Sequence, residues 1–310
     1  MILSVSRRTD IPNHYSDWFF QRLEEGYVCV RNPINAHQVS RICLSPEVLD
    51  MIVFWTKNPA PMLERLDELE AYKYYFQFTL NGYGPDIEPG MPDADTVRVP
   101  VFRKLSEKIG KKRVVWRYDP ILFTDTYTEA WHMETFEHLA GQLCGYTDTV
   151  VISFVDMYQK IQKAVRRLAF LRPEEAVISR LAAFISRTAG HYDMKVQTCG
   201  EDLSLEQYGI HAGACIDKTR IESITDYQIR GKRDRYQRKT CGCIESVEIG
   251  TYHTCPNHCV YCYANDLKRY PLVSAKYDRT SPILCGELRE DDCVAEKKME
   301  SQRRKRRRRE

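Results

Sequence analysis

Residues 51–80 read MIVFWTKNPAPMLERLDELEAYKYYFQFTL. Met51–Thr56 is a short apolar run that ends in Lys57-Asn58-Pro59, residues that stop a strand. Met62, Leu63, Leu66 and Leu69 then recur at helical spacing, and the helix is expected over Met62–Tyr72. Tyr74–Leu80 is strand-like again and closes at Asn81-Gly82. A strand, a helix and a second strand in so short a stretch form a βαβ unit, whose two strands run parallel.

The same alternation continues on both sides. Strands are expected at Met1–Ser6, Val114–Tyr118 (stopping at Asp119-Pro120), Thr149–Phe154, Met194–Thr198 and Ser246–Ile249. Helices are expected at Asp17–Glu25, Val99–Ile109, Ala130–Leu143 and Glu174–Thr188. Seven strands, most separated by helices, point to the α/β class and to a partial or complete (β/α) barrel, with its chemistry at the C-terminal strand ends. Polar residues fall just past several apolar runs: Arg7, Arg8 and Asp10; Thr56 and Lys57; Arg117 and Asp119; Asp156; Cys199 and Glu201. Arg7, Asp10, Lys57, Arg117, Asp119 and Cys199 are therefore the candidates for catalysis. Each alone is also what a turn or a helix cap would use, and the recurrence is the stronger observation.

The chain has 310 residues, 43% of them apolar and 29% charged, a globular composition. No window approaches the roughly 18 apolar residues of a membrane span. The start, MILSVSRRTD, lacks a long apolar stretch with a cleavage site, so a cytoplasmic protein is expected. Twelve cysteines are many for that compartment, where clustered thiols more often hold metal or do chemistry than form disulfides. The net charge is +3, but residues 297–310 carry nine Lys/Arg and two Glu, a surplus of seven, which leaves the rest of the chain at −4. The expected organisation is a barrel over 1–285, with a cysteine loop at about 241–265, followed by a basic, disordered tail over 286–310.

The most specific feature is Cys255-Pro256-Asn257-His258-Cys259-Val260-Tyr261-Cys262. Cysteines spaced Cys-x3-Cys-x2-Cys can ligate three irons of a [4Fe–4S] cluster and leave the fourth without a thiolate. A purely electron-carrying cluster takes four thiolates, so an open iron speaks for function. Zinc is the alternative, with His253 or His258 as a fourth ligand, although zinc modules more often use Cys-x2-Cys pairs.

This loop resembles the cluster loop of the radical S-adenosylmethionine (SAM) enzymes, with Tyr261 in the usual aromatic position and a strand leading in. The resemblance implies Cys255, Cys259 and Cys262 as iron ligands, SAM chelating the fourth iron, and Tyr261 near the SAM adenine. It also implies reductive cleavage of SAM to methionine and a 5′-deoxyadenosyl radical, and an electron donor such as flavodoxin or ferredoxin. The loop follows the last strand here rather than the first, which implies a circularly permuted barrel with Ser246–Ile249 first by position and Met1–Ser6 second. The glycine-rich acidic motif that follows the second strand in that superfamily is replaced by SRRTDIP at 6–12. FWTKNP at 54–59 is distantly similar to spore-photoproduct-lyase-like radical SAM proteins. The whole chain, through SRRTDIP, FWTKNP, WRYDPI at 116–121 and the terminal CxxxCxxCYAN, resembles a family of bacterial and archaeal proteins of unassigned function.

Cys199, Cys215, Cys241 and Cys243 make a second group, enough for a further iron–sulfur cluster or a zinc. Cys199 at a strand end could instead donate a hydrogen atom to a product radical, and all four could simply be buried thiols. The run Arg230–Lys239 is basic with one tyrosine, and it or the tail could hold nucleic acid, although such runs are more often solvated faces. Two functions therefore stand: a radical SAM-type enzyme of unknown substrate, or a zinc- or iron–sulfur-containing nucleic-acid-binding module without catalysis.

Overall fold

The computed structural model describes residues 1–155, 168–201 and 203–304. Asp156 and the last six tail residues lie outside the described residues. The strands are β1 (Ile2–Val5), β2 (Tyr27–Arg31), β3 (Gln38–Cys43), β4 (Met51–Thr56), β5 (Tyr74–Thr79), β6 (Val114–Ile121), β7 (Thr149–Phe154), β8 (Lys195–Thr198), β9 (His211–Ala212), β10 (Val247–Glu248) and β11 (Cys293–Glu296). Eight of them form one sheet in the order β10-β1-β4-β5-β6-β7-β8-β9, and every pairing in it is parallel. All C-terminal strand ends therefore lie along one edge. Among the described residues this sheet is open, with β10 and β9 at its two edges. The α/β class and the parallel strand order are as expected, and these residues form an open sheet with no closed barrel.

Period-two alternation sorts each strand's side chains onto two faces. Leu3, Ile52, Phe54, Phe76, Phe78, Trp116, Val150 and Ile152 pack on one side with the helices. These are α1 (Ile11–His14), α2 (Ser16–Glu25), α3 (Val99–Ile109), α4 (Glu129–Leu143) and α5 (Glu175–His191). Ile2, Met51, Val53, Tyr75, Val115 and Val151 face the other way. Among the described residues no strands close over that face. It is covered by Cys215, Ile216, Ile229, Cys243, Ile244 and Ile221 of helix α6 (Lys218–Thr225). The segment from 213 to 244 thus plugs the inner side of the sheet.

Three expectations change. Residues Ala60–Leu69 form a 3₁₀ segment, where an α-helix was expected. β6 runs on to Ile121 through Asp119-Pro120, and a register shift between Tyr118 and Ile121 accommodates the proline. Residues 286–304 are not a frayed tail. β11 pairs parallel to β3, which pairs antiparallel to β2 in a separate three-stranded sheet. Asp292 makes a bidentate ion pair with Arg31, and Gln302 N–H donates to buried Asp50 at 2.6 Å. The charge pattern missed this because β11's partner lies some 255 residues earlier.

Candidate metal centre

Strand β10 delivers the cysteine loop to the C-terminal edge. Gly250, two residues beyond β10, lies so close to Ser6 that a Cβ there would sit 1.8 Å from Ser6 Oγ. Glu248 ties the two segments by accepting from Ser4 Oγ (2.7 Å), Arg7 N–H (3.0 Å) and Gly250 N–H (2.8 Å). The loop then closes on itself: His253 N–H donates to Ala264 O (3.0 Å), and Asn265 Nδ2 donates to Cys255 O (2.8 Å). His253, before the first cysteine, and His258, between the first and second, both adopt positive φ, uncommon for non-glycine residues, and turn the chain at those two points. His258 turns Nδ1 toward Asn265 and its ring against Tyr270.

Two expected residues, Asp10 and Lys57, hold this loop. Asn257, two residues after the first cysteine, donates to Asp10 Oδ2 (3.1 Å), and its Oδ1 lies 2.5 Å from His14 Nε2. Asp10 also accepts from Lys57 N–H (2.8 Å). The Lys57 ammonium reaches Glu88 Oε1 at 2.8 Å, Arg98 reaches Glu88 Oε2 at 3.3 Å, and Asn81 and the Tyr261 hydroxyl also donate to this carboxylate. Burial alone would push the Glu88 pKa up, but Lys57 and Arg98 outweigh it and hold the carboxyl below its ordinary value. Burial would pull the Lys57 pKa down, but Glu88 and Cys259 more than offset it, so the ammonium stays charged. Gly90 completes the seat: its Cβ would lie 2.6 Å from Pro256 O and 2.7 Å from Asn257 Cα.

Burial drives the Cys255 thiol up to about 12 and Cys259 well above its ordinary value, so neither ionises there unless a cation compensates. Residues that fit a cluster here are Cys255, Cys259 and Cys262, with Lys57 as the nearby cation.

Tyr261 spends its hydroxyl on Glu88 and packs against Tyr83, Ile87 and Leu122. Arg117, Asp119 and Cys199 lie elsewhere, with the second cysteine group. Arg117 pairs with Asp119 and donates from Nη1 to Cys215 Sγ at 2.9 Å. Arg7 lies between the groups, within electrostatic reach of Cys243 and Cys215 as well as Glu248 and Tyr263. Its guanidinium covers Trp55 at 5.1 Å. The six candidates therefore split into Asp10 and Lys57 at the loop, Arg117, Asp119 and Cys199 at the second group, and Arg7 between them. Sequence reasoning missed Glu88, Arg98, Asn257 and Glu248. Glu88 sits in GYGPDIEPGMP, a stretch that reads as a linker, and only its burial reveals it.

These features define a cysteine-rich α/β protein with a thiol loop on the C-terminal edge of a parallel sheet. The chain belongs to the family of a domain of unknown function (DUF1848), whose model matches residues 2–264 and so includes all three loop cysteines. No curated protein and no solved structure matches it.

Proposed function

We propose that this protein is a radical SAM-type enzyme. The observation that carries the reading is the placement of the open-iron cysteine loop. It leaves an edge strand that lies parallel and adjacent to β1, at the edge where all strands of the sheet end. A radical SAM barrel whose first strand had been moved to the chain's end would show that order. When bound, the [4Fe–4S] cluster supplies the electron that reductively cleaves SAM. The chain's own residues position the thiols: Asp10 and Asn257 fix the loop's entry, and Glu88 holds Tyr261 and Lys57 beside Cys259. Residues 6–12 stand where that superfamily has its glycine-rich motif, and their Thr9 Oγ1 is buried without a hydrogen-bond partner. An electron donor of the flavodoxin or ferredoxin class completes the reading.

The test is anaerobic reconstitution with iron and sulfide, followed by dithionite and SAM. Methionine and 5′-deoxyadenosine should form, and the cluster's EPR signal should change when SAM is added. If neither occurs, the reading is wrong. A Cys259→Ala chain that assembles a normal cluster would overturn the ligand assignment. The second reading, a metal-stabilised nucleic-acid-binding module, draws on the Arg230–Lys239 run, where Tyr236 is 99% exposed among basic side chains. Stoichiometric zinc without visible absorbance, together with salt-dependent RNA or DNA binding, would favour it.

A further inference from the structure

Cys199, Cys215, Cys241 and Cys243 come from three segments, and the backbone is shaped to bring them together. Cys199 follows β8 directly. Gly213 N–H bonds to Thr198 O, and a Cβ on Gly213 would meet Gln197 Cβ at 2.8 Å and Thr198 O at 3.0 Å. Only a glycine lets that segment lie so close, and the approach sets Cys215 Sγ 3.0 Å from Cys199 Sγ. A Cβ on Gly242 would in turn meet Gly213 O at 3.2 Å and Ala214 Cβ at 3.4 Å, so the Cys241-Gly242-Cys243 turn stacks on Ala214-Cys215. Cys215 contacts Cys243, and Cys243 contacts Cys241, in a chain of four sulfurs. Thr240 Oγ1 donates to Gly200 O and ties the Cys241 turn to the Cys199 segment as well.

The donors around the sulfurs are not what neutral thiols need. Arg117 Nη1 donates to Cys215 Sγ at 2.9 Å, and Ile216 N–H donates to Cys243 Sγ at 3.4 Å. A thiol sulfur is a weak acceptor, whereas a metal-bound thiolate takes such bonds as outer-shell support. A second cation, Arg7, lies within electrostatic reach of Cys243 and Cys215. Buried cysteines used only as small apolar residues require neither arginine.

We infer that Cys199, Cys215, Cys241 and Cys243 hold a second, thiolate-ligated metal centre, separate from the Cys255–Cys262 loop, that fastens the 213–244 plug to the inner face of the sheet. Iron–sulfur and zinc share this ligand chemistry, and the experiment separates them. This inference does not depend on SAM cleavage. The full chain carrying Cys255→Ala, Cys259→Ala and Cys262→Ala is treated anaerobically with iron and sulfide, or with zinc alone, and its bound metal is counted. Retention of about four irons or of about one zinc per chain is expected, by the stoichiometry of each centre. That metal should disappear when Cys215→Ser and Cys243→Ser are added. A triple variant that binds neither metal overturns the proposal, and so does metal that persists without Cys215 and Cys243. Should those chains fail to fold, the milder Cys199→Ser/Cys241→Ser pair is read in the otherwise unchanged protein. Its iron should fall by half, or its zinc should be lost, and unchanged metal content overturns the proposal. Failure of SAM cleavage in a chain that retains both centres would count against the enzyme reading alone.

Discussion

Glu88 is a buried carboxylate that accepts from Lys57, Arg98, Asn81 and Tyr261 at once. Removing one member of such a network leaves uncompensated buried charge, which costs far more than the network contributes as a whole. Glu88→Ala should lower unfolding free energy in urea by about 3–5 kcal/mol and should also reduce iron retention, because Lys57 and Tyr261 lose their anchor. Gly90→Ala separates seat from fold. Its new methyl would press on the backbone of Pro256 and Asn257. Far-ultraviolet circular dichroism should be unchanged while iron per chain after reconstitution drops at least several-fold; equal iron loading in variant and wild type would remove Gly90 from the seat. At this scale the cysteines were legible because their spacing is short and chemically specific. Glu88 and Asn257 were not, because each takes its meaning from partners remote in sequence, Tyr261 for Glu88, 173 residues away, and Asp10 for Asn257, 247 residues away; Arg98 was not, because only its burial against Glu88 reveals it.

Seven of the eight strands of the large sheet were legible because they are apolar runs bounded by Asn, Gly, Pro or Asp, and Thr149–Phe154 and Val99–Ile109 match their expected limits; the eighth, β9, was missed because it is only two residues long. β2, β3 and β11 were missed, since their mixed polar and apolar residues gain strand character only by pairing with one another. α4 carries a testable anchor. His132 is buried, with Nε2 bonded to Leu122 O and Nδ1 to the Tyr118 hydroxyl, each at 2.8 Å. A carbonyl only accepts, so Nε2 bears the proton and the ring is neutral. Burial lowers its pKa from 6.5 to about 4. The unfolded chain therefore takes up this proton first as pH falls. Stability from this group is intact above pH 6.5 and is lost on going down toward pH 4, by about 3 kcal/mol in all. Melting temperature against pH should fall more steeply in this window for the wild type than for His132→Gln; parallel curves would refute the assignment.

For the molecule as a whole, the number of βα units was readable, but what covers the inner face was not. Strand count says nothing about closure. The plug from 213 to 244 holds only one helix of eight residues and much irregular chain, and it fills the space by packing Cys215, Ile216 and Ile244 rather than by any repeated pattern. Composition likewise marked the basic end without showing that its first part docks. Asp50 is 3% exposed and accepts from Ser301 Oγ at 2.5 Å and Gln302 N–H at 2.6 Å, besides pairing with the Met1 ammonium. A chain ending at residue 286 should lose roughly 3 kcal/mol or more, since a buried carboxylate loses two donors and β3 loses its partner. Thermal unfolding checks this: an unchanged midpoint would mean that β11 and residues 301–302 contribute nothing to stability. The same chain should keep its cysteine loop chemistry, because none of the loop's seat residues lies beyond 286.

The pairing of β10 with β1 also sets an order in time. Ser4 and Glu248 are 244 residues apart, and a nascent chain emerges from its N-terminal end. β1 can settle against β4 long before residues 247–248 leave the ribosome, and until then its outer side is an unpaired rail of amide and carbonyl groups, open to the wrong partner. The cysteine loop arrives directly behind the strand that caps that rail. Sealing the sheet and presenting the three thiols are thus one late event, and a chain interrupted before it would be both aggregation-prone and unable to take up metal at the loop.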